Sequence, residues 1–201
     1  MIIIGLCGNS GSGKSTVCEY FSKYGITSIN ADLVYRDLTT PGSELNKKIS
    51  MHFGNDVLNE DLSLNRKVLA EIVFSDTTGE NRLLLNKITH SAVIEETLSR
   101  IELLRAKGER AVIFDAPLLF ESGFDKKCDV IIALTADREI KIERIMRRDN
   151  IDYEKASLRI NAQIEEKFLV EHADYVIDTT DDSDIEFRIK QITEIILKCE
   201  V

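Results

Sequence analysis

Apolar positions in this chain fall into short uniform runs separated by longer stretches with helical spacing. The runs from Ile2 to Cys7, Thr27 to Asn30, Ala111 to Asp115, Asp129 to Leu134 and Tyr175 to Asp178 predict five strands. Several are too uniformly apolar to alternate between a wet and a dry face. That is the pattern of parallel strands covered by helices on both sides, so the fold expected is a doubly wound five-stranded parallel α/β sheet. After the first run, Val17, Tyr20, Phe21 and Tyr24 recur at helical intervals before Gly25, which predicts a helix and its stop. The stretch between Asn30 and Ala111 is far longer than one crossover requires and predicts a helical subdomain. Within it, Leu69, Ile72 and Val73 mark one helix, and Arg82 to Lys107 a longer one that stops at Gly108. Between the fourth and fifth runs, Asp137 to Arg148 and Tyr153 to Phe168 read as two helices rich in Arg and Lys.

Composition changes this picture little. At 201 residues, 43% hydrophobic and 30% charged, the chain suits one globular domain, without repeats or a linker. No apolar run approaches the roughly 20 residues that cross a bilayer, and the opening MIIIGLC lacks the flanks of a secretory signal. A net charge of −9 speaks against nucleic acid as the main partner, since such binding draws on clustered cations. Cys7, Cys18, Cys128 and Cys199 form no C-x-x-C pair and sit at no zinc-ligand interval, which fits scattered thiols in a reducing cytoplasm.

The chemistry is concentrated near the start. Gly8-Asn9-Ser10-Gly11-Ser12-Gly13-Lys14-Ser15 matches the spacing G-x-x-x-x-G-K-[ST] between a strand and a helix. Glycines there let several N–H groups converge on phosphate oxygens, Lys14 reaches the β- and γ-phosphates, and the Ser15 hydroxyl ligates Mg²⁺. A guanine-nucleotide switch is excluded. DTTG at Asp76 to Gly79 and NKIT at Asn86 to Thr89 lie too close together for successive parallel strands, and position 89 lacks the guanine-pairing aspartate.

Phosphate transfer to an acceptor also requires a carboxylate near the γ-phosphate. Asp32, just after the second strand, is either that group or the N-cap of a helix beginning near Leu33. Asp115 closes the third strand and is either a metal-binding carboxylate or a cap. Arg144 and Arg148 share a helical face, and Arg159 and Gln163 repeat the spacing. They form either a mobile phosphate-gripping lid or a solvated face paired with Glu143 and Glu166.

The ordered set IGLCGNSGSGKSTV, NADLVYRDL with PG, HFG, LNRKVLAEIVF, LNKITH, FDAPLLFESG, RIMRRD, RINAQ and ADYVID resembles the dephospho-coenzyme A kinase family through almost the whole chain. The resemblance implies a fold of the P-loop nucleoside-monophosphate-kinase-like type, with a helical acceptor-binding insertion and a helical lid. It implies a single domain over 1–201, with its core at about 1–32, 109–136 and 172–201, its insertion at about 33–108 and its lid at about 137–171. It implies ATP-dependent, Mg²⁺-assisted phosphorylation of the ribose 3′-hydroxyl of dephospho-CoA, the last step of coenzyme A synthesis. Asp32, Lys14 and Arg144 are then catalytic, with Asp32 as general base or hydroxyl-orienting group. ATP is held by Gly8, Gly11, Ser12, Gly13, Lys14, Ser15, Thr16, Arg144 and Arg148, and Mg²⁺ by Ser15 and Asp115. The acceptor meets Asp32, Arg36, His90, Asp115, Pro117, Leu118, Leu119 and Glu121. The chain departs from the family pattern at Cys7, Asn9, Ser10, Asn30, Ser91 and Thr179, the last where an asparagine is usual near the expected ATP adenine. The alternatives are a kinase acting on a nucleoside or nucleoside monophosphate, and a non-catalytic nucleotide-binding or ATPase module.

Overall fold

A computed structural model describes residues 1–198, so Cys199 lies outside the described residues. Five strands, β1 (Ile2–Gly8), β2 (Thr27–Asn30), β3 (Ala111–Asp115), β4 (Val130–Thr135) and β5 (Tyr175–Asp178), form one all-parallel sheet in the order β2-β3-β1-β4-β5. Each predicted strand is present, with ends shifted by at most one residue.

The helices are α1 (Lys14–Ser22), α2 (Ala31–Leu38), α3 (Glu44–Phe53), α4 (Arg66–Ser75), α5 (Glu80–Ala106), α6 (Arg138–Asp149), α7 (Tyr153–Asn161), α8 (Glu166–Glu171) and α9 (Ile185–Lys198). None of the helices among the described residues is long and apolar enough to cross a membrane. The chain divides into two compact units, residues 1–30 with 103–201, and residues 31–102.

In the sheet unit, Ile4, Leu6, Ile113, Ile132 and Leu134 are fully enclosed beneath Val17 and Phe21 of α1 and Ile185, Ile189 and Ile196 of α9. Burying each such side chain contributes roughly 1.5–3 kcal/mol, so this cluster holds the sheet flat against its helices. A smaller cluster, Ile142, Ile145, Ala156 and Ile160, joins α6 to α7.

The register sets the working edge. Asn30 pairs beside Asp115 and Asp115 beside Leu6, so β2 and β3 end two residues short of β1, while Gly8 pairs beside Leu134 and Thr135 beside Asp178, so β4 and β5 run one residue past it. Ligands of open parallel sheets bind at this carboxyl end.

The 31–102 unit has its own core of Leu45, Ile49, Val57, Leu64, Leu69 and Val73, with Tyr35, Phe53 and Ile88 around it. Ser43 caps α3 by accepting from the Asn46 N–H, and Asn65 caps α4 by accepting from Val68. The two tempting switch motifs fall into this helical unit. Asp76 takes the N–H groups of Thr78 and Asn81 to turn the chain into α5, and Asn86 to Thr89 lie inside α5.

Two expectations are corrected. The segment Tyr153 to Phe168 is not one helix: α7 ends at Asn161, and α8 starts at Glu166. Two of the four residues between them bond to the glycine loop: the Gln163 side-chain Oε1 accepts from the Ser10 N–H at 2.9 Å, and the Asn9 side-chain amide donates to the Ile164 backbone carbonyl at 3.2 Å. Gln163 therefore shares no helical face with Arg159. The α2 helix already includes Ala31, so Asp32 lies in its first turn and is not its N-cap.

Candidate active site

The loop after β1 is fixed by glycine stereochemistry. Gly11 and Gly13 adopt φ of 83° and 78°, in the left-handed region that other residues avoid. Gly11 has a second constraint, since a Cβ there would sit 2.5 Å from the Lys141 carbonyl oxygen of α6. Lys141 is held in turn by an ion pair of 2.6 Å with Glu166 of α8, its side chain only 6% exposed. Glu166 therefore serves this buried lysine instead of pairing with the arginine face.

Gly13 is the N-cap of α1, and no side chain among the described residues caps that helix. Its first turn carries no acidic residue, so the amides and the positive end of the helix dipole face the loop without a competing anion. An anion at this end is stabilised without further machinery. Lys14 Nζ donates to the Gly8 carbonyl at 2.8 Å, folded back over the loop. The Ser15 and Thr16 side chains are exposed, whereas Ser12 is buried and its Oγ has no hydrogen-bond partner among the described residues.

Arg144 is planted against the same loop. Its Nη1 donates to the Gly11 carbonyl at 3.2 Å and to Thr179 Oγ1 at 3.1 Å, and its Nη2 donates to the Thr179 carbonyl at 2.7 Å. One turn on, Arg148 donates to Ser10 Oγ at 3.2 Å and to both carboxylate oxygens of Asp149, at 2.8 and 2.9 Å. Arg159 also bonds to Asp149. Hydrogen bonding from Arg148, reinforced by the charge of both arginines, pulls the Asp149 carboxyl down to about 2. The basic face of α6 and α7 is thus turned onto the loop and Asp149.

Asp115 ends β3 with 4% exposure and accepts from the Asn30 amide at 2.6 Å. Beyond it, Pro117 is half-buried, Leu118 and Glu121 are exposed, and Leu119 is fully buried, where its Cδ atoms limit the space beside Gly5. In the 31–102 unit Asp32 and Arg36 are exposed on α2, and His90 is half-buried on α5. Among the described residues no three His, Cys, Asp or Glu side chains gather as a metal cluster. Ser15 and Asp115 nonetheless offer hard oxygen donors, the kind Mg²⁺ takes when phosphate and water complete its shell. The thiols of Cys7, Cys18 and Cys128 are pushed by burial to about 12, which makes them packing groups.

Residues 163–164, Asn9 and Thr179 were missed as loop partners in the sequence reading. Asn9 lay within the glycine motif and Thr179 just past the fifth predicted strand, but residues 163–164 fell inside a predicted helix and carried no signal.

A parallel sheet in this order, with a glycine loop and lysine at the start of its first helix, defines a P-loop nucleotide-handling protein of the kinase type. The family model described as dephospho-CoA kinase matches residues 2–184, and the chain belongs to that family. It is 39% identical over 178 residues to the dephospho-CoA kinase of Syntrophotalea carbinolica, covering 89% of this chain and 83% of that one. The solved dephospho-CoA kinase of Campylobacter jejuni superposes with a TM-score of 0.69 at 27% identity, over 99% of this chain and 98% of the other. Shikimate kinase from Acinetobacter baumannii, at 17% identity, shares the fold, with a TM-score of 0.58 over 100% and 96% of the two chains.

Proposed function

We propose that the protein transfers the γ-phosphoryl group of ATP to the ribose 3′-hydroxyl of dephospho-CoA, giving coenzyme A and ADP. The observation that carries this is the uncapped amino end of α1, closed by Gly11, Gly13 and Lys14, in a chain of the dephospho-CoA kinase family.

Loop amides from Gly8 to Thr16 take the β- and γ-phosphate oxygens, and Lys14 Nζ leaves the Gly8 carbonyl to join them. Arg144 and Arg148 add positive charge from the lid, residues 137–171. In the transfer, the bond from the ribose 3′-oxygen to the γ-phosphorus forms as the bond to the β–γ bridging oxygen breaks. Asp32 aligns the hydroxyl and receives its proton late. A strong base is not required, because the transition state is loose and the nucleophile is only weakly bonded in it. Mg²⁺, held by Ser15 and Asp115 when bound, supplies neutralisation of phosphate charge. Residues 33–108, with Arg36 and His90, receive the acceptor's long arm together with Pro117, Leu118, Leu119 and Glu121. The net charge of −9 is consistent with small anionic ligands met by local cations, and with a cytoplasmic enzyme that engages neither nucleic acid nor membrane.

With ATP and Mg²⁺, mass spectrometry of the reaction should show dephospho-CoA gaining one phosphoryl group. Phosphorylation of nucleoside monophosphates in its place selects the nucleotide-kinase alternative, and ATP hydrolysis indifferent to any acceptor selects a non-catalytic module.

A further inference from the structure

Thr179 follows β5 and is 1% exposed. Its backbone N–H extends the sheet ladder to the Thr135 carbonyl at 2.9 Å. Its hydroxyl lies 3.0 Å from the Ser12 carbonyl, in the glycine loop 167 residues away, and 3.1 Å from the Thr135 carbonyl at the end of β4. A hydroxyl has one proton to donate, so these carbonyls share it, and its lone pairs remain for the Arg144 Nη1. The Thr179 carbonyl takes the other guanidinium nitrogen at 2.7 Å, the short length of a charge-assisted bond. A single residue therefore grips both prongs of the arginine and the floor of the phosphate loop. The Thr179 hydroxyl and Arg144 Nη1 are also the atoms nearest to where a Cβ on Gly13 would stand, at 3.5 and 3.7 Å.

We propose that Thr179 is a positioning residue for nucleotide binding: its hydroxyl and carbonyl together aim the Arg144 guanidinium at the phosphate loop and tie that loop to the sheet edge. The inference rests on the proposed use of ATP, and deepens it by naming what holds the lid arginine. Neither Thr179 nor its hydroxyl contacts the reacting atoms. It acts through Arg144 and Ser12.

Thr179→Val keeps the shape and the backbone carbonyl and removes the hydroxyl. Calorimetric titration with ATP should give a Kd raised about 10- to 100-fold, the size expected for losing one hydrogen bond to a charged group. Thr179→Ser, which restores the hydroxyl, should recover near-wild-type affinity. In an Arg144→Ala background the same Val substitution should have little further effect, because the group it aims has gone. With turnover, the KM for ATP should rise with Thr179→Val while the KM for dephospho-CoA stays put. A lowered melting temperature with unchanged ATP affinity, or an undiminished effect of Val in the Arg144→Ala background, overturns the proposal. Should Thr179→Val fail to fold, Arg144→Lys carries the same expectation, since lysine keeps the charge and loses the two-pronged grip. Wild-type ATP affinity in that variant overturns it equally. Because the titration uses ATP alone, a failed acceptor assay would remove the substrate assignment and leave this test intact.

Discussion

The loop region of the sheet unit and the 31–102 unit are held in opposite ways. Around the loop the bonds span the chain: Ser12 to Thr179, Gly11 to Arg144, Ser10 to Gln163 and Asn9 to Ile164, each between segments more than 130 residues apart. In the 31–102 unit they are mostly short, such as Thr39 to Tyr35, Asn46 to Thr40 and the Asp76 turn, with Arg100 to Asp37 the long exception. The apolar contrast runs the same way. The sheet cluster buries fourteen residues and the cluster of the 31–102 unit six, although both units leave large apolar side chains exposed, Met51 and Phe74 at 81 and 77% in one, Phe187 and Leu158 at 62 and 61% in the other. The glycine loop is thus tied down by tertiary contacts from distant segments. The 31–102 unit is a more lightly cored helical unit.

The sharpest way to break this contrast is chemical. If the insertion supplies more than a surface, Asp32→Asn should lower kcat by about 10²- to 10⁴-fold with the KM for ATP nearly constant. Steady-state kinetics showing normal turnover would reduce the insertion to a passive wall.

Next in size are paired core deletions. Ile4→Ala and Ile49→Ala each remove a fully buried side chain and should each destabilise by about 2–5 kcal/mol. Hydrogen exchange should separate them: Ile49→Ala should expose amides of α3 and α4 while β1 and β3 stay protected. Uniform loss of protection would mean that the units unfold as one.

Two glycines that both need a positive φ sharpen the comparison further. Gly11 has φ 83° and a carbonyl 2.5 Å from its absent Cβ, whereas Gly54 has φ 90° and open space around it. Gly54→Ala should cost about 1–2 kcal/mol from backbone strain alone, and Gly11→Ala about 2–4 kcal/mol because α6 must also move. Equal losses by denaturant titration would show that the loop is less tightly backed than its contacts indicate.

The smallest effect is in pH. Asp149 is depressed from 3.8 to about 2, so its contribution is present above 3.8 and is lost as pH falls through about 2. The arginine–Asp149 contact should therefore leave stability flat between pH 5 and 8, and Asp149→Asn should lower the melting temperature slightly and equally across that range, because the carboxylate, though half-buried, lies near the surface beside exposed arginines and is screened. A difference that grows toward pH 8 would assign the effect to another group.

Much of the fold was legible because its signals are local. Uniform apolar runs named the five strands within one residue, and the glycine spacing named the loop and the helix it opens. Asp32 was legible as a candidate but not its place in α2, since the helix starts before the residue that composition marks as a cap. The arginine face was legible as a face. Its partners were not all legible: Asp149 and Thr179 take bonds from the arginines, and Glu166, one of the two expected partners, pairs with Lys141. The break between α7 and α8 was invisible, because Ala162 to Glu165 contain neither glycine nor proline and are pulled out of helix by the loop itself.

By itself, then, the sequence determined the strands, the phosphate loop and the helical character of what lies between them, since each depends on residue type and spacing within a dozen positions. Only the tertiary structure decided that Gly11 must be bare because α6 passes against it, and that Thr179 meets Ser12 and Arg144. Those pairings depend on how parallel strands bring distant chain segments to one sheet edge. No local pattern records which of many polar side chains will arrive there.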